Sequence, residues 1–227
     1  TPNNRLNVAC IGVGGRGEAA EDGLKGENFV AFCDVDDERA PNTYKAYPCG
    51  VVIHPIIDGC LRLRQTPEFN PSNVIAVEIR GNPFVIELTG RKAPTTTLEG
   101  KLSVYHSAAA ALIAGRAGEQ EYRSDFINRP DVVALRTKVV VEPDTKIRED
   151  EAHVALRMSA GRVVREHVEH ATGTVERPMT DRDIETKFRG LCAPFLPQSQ
   201  VAALIERCWN ITDVTDAAIF AQLASVK

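Results

Sequence analysis

The first 34 residues follow a pattern that strongly limits how this end of the chain can fold. An apolar run over residues 6–11 leads directly into a glycine-rich turn, and a second apolar run over residues 29–33 ends at Asp34. Weakly helical sequence lies between the two runs. Strand, glycine turn, helix and strand in this order are typical of a βαβ unit, whose two strands pair in parallel.

The glycines of the turn and the acid after the second strand have the spacing of a dinucleotide-binding site. Gly12 permits the tight turn, Gly14 lets the backbone approach a pyrophosphate, and Gly17 allows close helix–strand packing. Asp34 lies about 20 residues further on, where an acid accepts from a ribose 2′-hydroxyl. The sequence therefore predicts an incomplete Rossmann-like βαβ unit over residues 1–42, with NAD as its cofactor. The alternative is a glycine-rich turn in an ordinary βαβ unit.

Two segments of this unit, residues 7–17 and 33–39, resemble the N-terminal start of the Gfo/Idh/MocA oxidoreductase family. The resemblance covers residues 1–48 and implies an NAD(P)-binding oxidoreductase as one function of the chain. That family also carries a Glu-Lys-Pro motif whose lysine is implicated in catalysis, and this sequence contains no Glu-Lys-Pro. The resemblance therefore supplies a cofactor site without a visible catalytic group for hydride transfer.

Composition excludes several classes of protein. The chain has 227 residues, of which 43% are hydrophobic, and 27 Lys and Arg stand against 31 Asp and Glu. The net charge of −4 argues against a nucleic-acid partner. No apolar run reaches the roughly 20 residues that a membrane helix needs, so no membrane partner is expected. The N-terminus lacks the pattern of a signal peptide, and we expect a cytoplasmic protein.

Cysteine and histidine spacing predicts no metal site. The six cysteines form no Cys-x-x-Cys pair, and we expect them to be reduced thiols. His167 and His170 are three residues apart, but His167 falls in a predicted strand, so the two do not share a helix face. His106 and His153 have no partner in the sequence pattern.

Residues 43–227 alternate between helical and strand patterns, which predicts a mixed α/β fold of the α+β type. The predicted strands are residues 74–80, 84–88, 137–141, and a hairpin of 154–158 with 163–168. Five helices are predicted. A short one begins at Pro55 and leaves His54 outside it, and a long one covers residues 98–113, between a Thr96–Glu99 capping box and a stop at Gly115. A third helix is capped by Thr180, and the last two cover residues 198–209 and 213–224.

Residues 44–55, YKAYPCGVVIHP, resemble the signature of the MmgE/PrpD family. The resemblance continues in order to the end of the chain, at residues 88–90, 98–106, 129–133 and 187–189. It covers about residues 43–227 and implies the smaller, C-terminal domain of that family. The family includes 2-methylcitrate dehydratase, aconitate decarboxylase and iminodisuccinate epimerase, so it implies a lyase-type enzyme for a small polycarboxylate substrate, with no cofactor.

The same resemblance places Lys45 and Tyr105 at active-site positions, with His54 and Gly50 close to them. A lysine can hold a carboxylate and stabilise enolate-like charge, and a tyrosine can relay a proton. A histidine can act as a general acid or base if its pKa is near neutrality. The alternatives are that Lys45 is a solvated surface charge, that Tyr105 belongs to the core, and that His54 only begins a helix.

In the MmgE/PrpD family a larger helical domain supplies most of the catalytic residues, and this sequence carries no such domain. The resemblance therefore implies a chain that is incomplete as a catalyst and chimera-like in origin. It also implies an uncovered apolar face near residues 98–113, so we expect self-association, or a missing helical domain as partner. A non-catalytic assembly module is the remaining alternative.

Overall fold

This computed structural model describes residues 7–11, 28–33, 44–67 and 69–225 of the chain. Two strands, β1 (Asn7–Ile11) and β2 (Asn28–Cys33), pair in parallel. Their positions agree with the two strands predicted at this end of the sequence. The predicted cofactor residues, Gly12, Gly14, Gly17 and Asp34, lie outside the described residues, so the dinucleotide site stays a prediction.

A mixed four-stranded sheet organises the rest of the described chain. The strand order is β4–β3–β5–β6, with β3 and β4 parallel and the other two pairs antiparallel. The predicted hairpin of β5 and β6 is confirmed, and its turn contains Gly161 in the left-handed region, with φ of 75°. The strands are β3 (Val74–Gly81), β4 (Val139–Pro143), β5 (Ala152–Met158) and β6 (Val163–Val168).

Helices cover one face of this sheet, which confirms a mixed α+β fold. Helix α1 contacts β5, β6 and α4, and α4 also contacts α6, so the core lies around α1. The helices are α1 (His54–Arg64), α2 (Phe84–Thr89), α3 (Thr97–Lys101), α4 (Val104–Ala114), α5 (Ser124–Ile127), α6 (Pro130–Arg136), α7 (Asp181–Cys192), α8 (Gln198–Trp209) and α9 (Ala218–Ala224).

The predicted strand over residues 84–88 is wrong, because this segment forms helix α2. The Asn82 side chain accepts a hydrogen bond from the backbone N–H of Phe84 at 3.0 Å, which starts the first turn. Val85 and Thr89, one turn apart, are both buried, whereas Leu88 is 60% exposed. Helical rather than alternating burial therefore decides the conformation of these β-branched and aromatic residues.

The long helix predicted over residues 98–113 is two helices, α3 and α4. The Thr96–Glu99 capping box is confirmed, and Gly115 ends α4 with φ of 71°. Between the helices, the Ser103 hydroxyl caps α4 by accepting from the N–H of His106 at 3.1 Å. The break turns Leu98 toward solvent, where it is 69% exposed, so it does not share the apolar stripe of α4.

His54 is helical, with φ of −54° and ψ of −46°, although a proline follows it. A 3-10 turn over Val51–Ile53 leads directly into α1 and carries His54 into the first turn, where Pro55 needs no backbone donor. Two predicted boundaries also move. Strand β4 begins two residues later than predicted, and α9 begins at Ala218 because Ile211–Asp213 forms a separate 3-10 turn.

Gly59 lies where α1 crosses the sheet, and an added Cβ would lie 2.8 Å from Val154 Cγ2. We expect Gly59→Ala to lower the free energy of unfolding by about 1–3 kcal/mol, because the helix would have to move away from β5. Gly190→Ala is the matched control, since no described atom lies within 4 Å of a Cβ there. It should stabilise α7 by up to about 1 kcal/mol. Urea unfolding of both variants checks the pair, and a neutral Gly59→Ala would contradict the packing.

Candidate functional site

A cavity of about 690 Å³ opens between the segment before α1 and two loops that flank the hairpin. Gly173, with φ of +97°, holds one loop against this segment, because a Cβ there would overlap the carbonyl oxygen of Tyr44. Lys45 and His54, two of the predicted site residues, are therefore brought to one cavity. Its lining is Tyr44, Lys45, Val51, Val52, His54, Arg148, Glu149, Asp150 and residues 170–176.

His54 lines this cavity, and one of its ring nitrogens has no hydrogen-bond partner among the described residues. Its side chain is 3% exposed, and Nε2 is buried and unpaired. The Tyr47 backbone forms a hydrogen bond with the ring, which leaves Nδ1 as the nitrogen that donates to it. Burial lowers the pKa of His54 to about 4, and the charges of Lys45 and Lys187 add to this while Asp58 opposes it. The ring is therefore neutral at pH 7, with an acceptor lone pair on Nε2.

Two lysines lie beside this histidine. Lys45 is exposed at the cavity, and the Nζ of Lys187 in α7 donates a hydrogen bond to the Lys45 carbonyl oxygen at 2.5 Å. Partial burial, followed by the charge of Lys45, lowers the pKa of Lys187. Lys187 also lines a second cavity, of about 390 Å³. The two cations make this part of the surface suited to an anionic ligand.

A buried carboxylate fixes the wall of the cavity behind His54. Asp58 follows His54 by one turn of α1 and is 4% exposed. Its Oδ1 accepts from the Tyr47 hydroxyl at 2.5 Å. Its Oδ2 accepts from the backbone N–H of Thr172 at 2.7 Å, the Thr172 hydroxyl at 2.9 Å and Arg177 Nη1 at 3.1 Å. Asp58 therefore joins α1 to both chain segments that line the cavity.

Sequence reasoning missed this carboxylate and its partners. Asp58 lies four residues after His54, so helical spacing could have placed both on one face of α1. Thr172 and Arg177 lie more than 110 residues further along the chain, and no local pattern links them to Asp58. Their contribution depends on the fold of the loop after β6.

Tyr105, the third predicted site residue, is not among the described residues that line this cavity. It is buried in the first turn of α4, and Lys92 Nζ lies 5.9 Å from its ring centroid. Burial raises the pKa of its hydroxyl. Gly50 packs against α2, since a Cβ would lie 2.8 Å from Thr89 Cγ2, and so the position admits no larger side chain without movement.

The rim of the cavity carries groups that bind protons or cations. His170 Nδ1 lies 2.6 Å from Asp150 Oδ2 and 3.9 Å from Glu176 Oε2. These three residues form one of two described groups of histidine and carboxylate whose ligand atoms lie close together, and Glu151, His153 and His167 form the other. None of the described helices has the length and apolar character that crossing a membrane requires.

Comparison with known proteins identifies the family. The model of the MmgE/PrpD C-terminal domain matches residues 47–211. The cis-aconitate decarboxylase of Mus musculus is 25% identical over 189 residues, which cover 79% of this chain and 38% of that protein. The enzyme of Homo sapiens is 25% identical over 190 residues, covering 79% of this chain and 39% of that protein.

The chain thus spans about two fifths of the length of these curated relatives. The family match begins at residue 47, so the resemblance of residues 1–48 to the Gfo/Idh/MocA family stays a prediction. The match covers well over half of the chain and includes His54, Asp58 and Tyr105. The chain belongs to the MmgE/PrpD family, of which it carries the C-terminal domain.

Proposed function

We propose that this domain forms part of a lyase site for a small polycarboxylate, in which Lys45 binds a carboxylate and His54 handles a proton. One observation carries the proposal: Lys45 and His54, whose Nε2 has no hydrogen-bond partner among the described residues, line the same cavity. The similarity to cis-aconitate decarboxylases favours a tricarboxylate such as cis-aconitate. A 2-methylcitrate-like substrate fits the same chemistry.

In each of the proposed reactions, negative charge develops on the substrate carbon beside a carboxylate. When a C–H proton moves to His54 Nε2, the electron pair stays on the substrate as an enolate-like anion. A cation at Lys45 stabilises that anion more than the ground state, which lowers the barrier. In dehydration the anion then expels hydroxide, which takes the proton from His54 and leaves as water, and in epimerisation a proton from solvent adds to the opposite face. In decarboxylation the bond to the departing carbon dioxide breaks in place of the C–H bond, and the electron pair left on the substrate takes up a proton from solvent.

The neutral state of His54 fits this role. A bound carboxylate would offset the charges of Lys45 and Lys187, which both lower the pKa of His54. Burial is the larger cause of the low pKa of His54, so offsetting these charges would raise the pKa only in part, while the neutral ring is already able to accept a proton. Tyr105 stays a predicted catalytic residue, although it lies outside the cavity that holds Lys45 and His54.

We also propose that this chain is incomplete as a catalyst, because each relative is more than twice as long as the segment that it shares with this chain. An apolar surface on α2 and α3 supports an additional partner. Leu88 and Leu98 are 60% and 69% exposed, whereas the four consecutive alanines 108–111 of α4 are fully buried. These exposed leucines support a proposed partner surface on α2 and α3, beside α4. Self-association, or docking of a helical domain on this surface, stays a prediction.

Titration calorimetry with cis-aconitate tests the proposed site. We expect Lys45→Ala to weaken binding at least about tenfold, since a charge-assisted hydrogen bond contributes about 1.5–3 kcal/mol. Lys146→Ala is the control, because Lys146 is an exposed lysine that does not line the cavity. His54→Gln should bind within a few-fold of the original chain, as His54 acts on the proton rather than on the carboxylate.

Equal binding by the Lys45→Ala and Lys146→Ala variants would refute the site. The chain alone should give no measurable dehydration of 2-methylcitrate or decarboxylation of cis-aconitate. Turnover that Lys45→Ala abolishes would support the site and show that the chain is complete as a catalyst, whereas turnover that only Tyr105→Phe abolishes would move the site away from this cavity.

The oxidoreductase alternative has one observation in its favour, the parallel pairing of β1 with β2. Its cofactor would be NAD, bound by the predicted glycine turn and Asp34. The assembly-module alternative is supported by the exposed leucines of α2 and α3. Neither alternative uses the cavity at Lys45 and His54, so the calorimetric titration also separates them from the lyase proposal.

A further inference from the structure

Two histidines are neighbours across the β5–β6 hairpin. The strand register pairs His153 directly with His167. Their rings are stacked, with centroids 4.2 Å apart and planes at 9°. Both side chains lie on the face of the sheet opposite α1 and are 42% and 48% exposed. A cation from solution can therefore reach both imidazoles.

A carboxylate completes this group. Glu151, one residue before β5, has its Oε1 at 2.9 Å from His167 Nε2 and 4.0 Å from His153 Nε2. Its other oxygen, Oε2, lies 3.2 Å from Arg148 Nη1. Arg148 thus holds the carboxylate in place from one side while Oε1 faces the two imidazoles. The three ligand atoms all lie within 4.8 Å of one another.

We infer that Glu151, His153 and His167 form a binding site for a divalent transition-metal ion, for which Zn²⁺ is the best fit. Ligand bonds of about 2.0–2.2 Å in tetrahedral geometry place neighbouring ligand atoms roughly 3.3 Å apart. The two separations from Glu151 Oε1 lie on either side of that value, and the stacked rings would tilt apart on binding so that both nitrogen lone pairs aim at one ion. Imidazole nitrogen suits zinc, nickel and copper better than it suits calcium or magnesium. Three protein ligands leave a fourth position for water.

The neighbouring group of Asp150, His170 and Glu176 is less suited to the same ion. It offers one imidazole and two carboxylates, a donor set that favours harder cations. It also lines the cavity at Lys45, whose charge disfavours a second cation nearby. The sequence predicted no metal site because His153 and His167 are 14 residues apart, and only the hairpin register brings them together.

Competition between the full chain and a chromophoric zinc chelator tests the site. We expect one Zn²⁺ ion to bind, and His153→Asn and His167→Asn each to weaken binding at least about tenfold. His170→Asn is the matched control and should leave the affinity unchanged. Because both ligand histidines are half-exposed, their asparagine variants should fold, and circular dichroism verifies this. Zinc should also raise the melting midpoint of the original chain more than that of either ligand variant.

Cysteine thiols are the competing ligands for zinc, so the titration is repeated after alkylation of the accessible thiols. Retained affinity, together with a Co²⁺ complex that shows no thiolate charge-transfer band, supports the histidine site. The inference is overturned if no zinc binds, if both ligand variants bind like the original chain, if His170→Asn removes binding, or if alkylation abolishes it.

Discussion

Replacement of Asp58 by alanine should lower the free energy of unfolding by about 3–5 kcal/mol, because it removes the acceptor of several buried donors, each of which costs about 1–3 kcal/mol when unpaired. Asp58 accepts four hydrogen bonds, from the Tyr47 hydroxyl, the backbone and hydroxyl of Thr172, and Arg177. Alanine would strand these donors in a site that is almost closed to water. The partly exposed Arg177 can turn to solvent, so the loss comes mainly from Tyr47 and Thr172.

Glu78→Ala is the control for this variant. Glu78 accepts from Arg157 Nη2 at 2.6 Å on an exposed part of the sheet, where an ion pair contributes about 0–1 kcal/mol. Asp58→Asn keeps one acceptor oxygen and should fall between the two. Urea unfolding at pH 7 measures all three. A loss at Asp58→Ala no larger than that at Glu78→Ala would mean that the network does not stabilise the fold.

Where sequence signals are local, the fold agrees with the prediction. The hairpin of β5 and β6 follows from alternating apolar residues on both sides of a glycine turn. The alternation over a few residues is enough to decide which side chains of each strand are buried. The helix starts at Thr96 and Thr180 depend on a side chain that bonds to a backbone N–H three residues away. Such signals need no knowledge of the rest of the chain.

Where tertiary contacts decide, the sequence misleads. Residues 84–88 have strand-forming side chains, yet the burial of Val85 and Thr89 one turn apart makes them helical. Ser103 could equally have continued the helix around it, but its hydroxyl caps α4 and donates to the Arg91 carbonyl oxygen at 2.5 Å. Both outcomes depend on partners outside the local segment.

The candidate site divides in the same way. Lys45 and His54 are near each other in the sequence, and they do line one cavity. The loop of Thr172 and Arg177, the lysine of α7 and the stacked pair His153 and His167 come from distant segments. Only the sheet register and the packing of α1 bring these groups to their positions.

Acid should destabilise the fold between about pH 6.5 and pH 4, because two histidines are buried in neutral form. Burial is the main cause that lowers the pKa of both His54 and His106 to about 4. His106 Nε2 lies 2.8 Å from the Glu121 carbonyl oxygen and donates to it, while Nδ1 is buried without a described partner. Protonation of either ring would place a charge in a site that cannot solvate it.

The sign follows from comparing the two states. In the unfolded chain a histidine has a pKa of about 6.5, so it takes up a proton well before the folded protein does. The full stabilisation is present above about pH 6.5 and is lost progressively as the pH falls to about 4, by roughly 3 kcal/mol for each histidine. Below that range these two groups contribute no further change.

Urea unfolding at several pH values between 7 and 4, with a chelator present, measures this loss. His106→Gln should remove about half of the pH dependence, because one of the two buried groups no longer titrates. His153→Gln is the matched control, since His153 is 42% exposed and water screens its charge. If the free energy of unfolding depends on pH with the same slope in His106→Gln and His153→Gln, buried neutral histidine does not cause the loss of stability in acid. If His106→Gln halves the slope, half of the acid-induced loss of stability comes from His106 in the core around α4, and His54 at the cavity accounts for the rest.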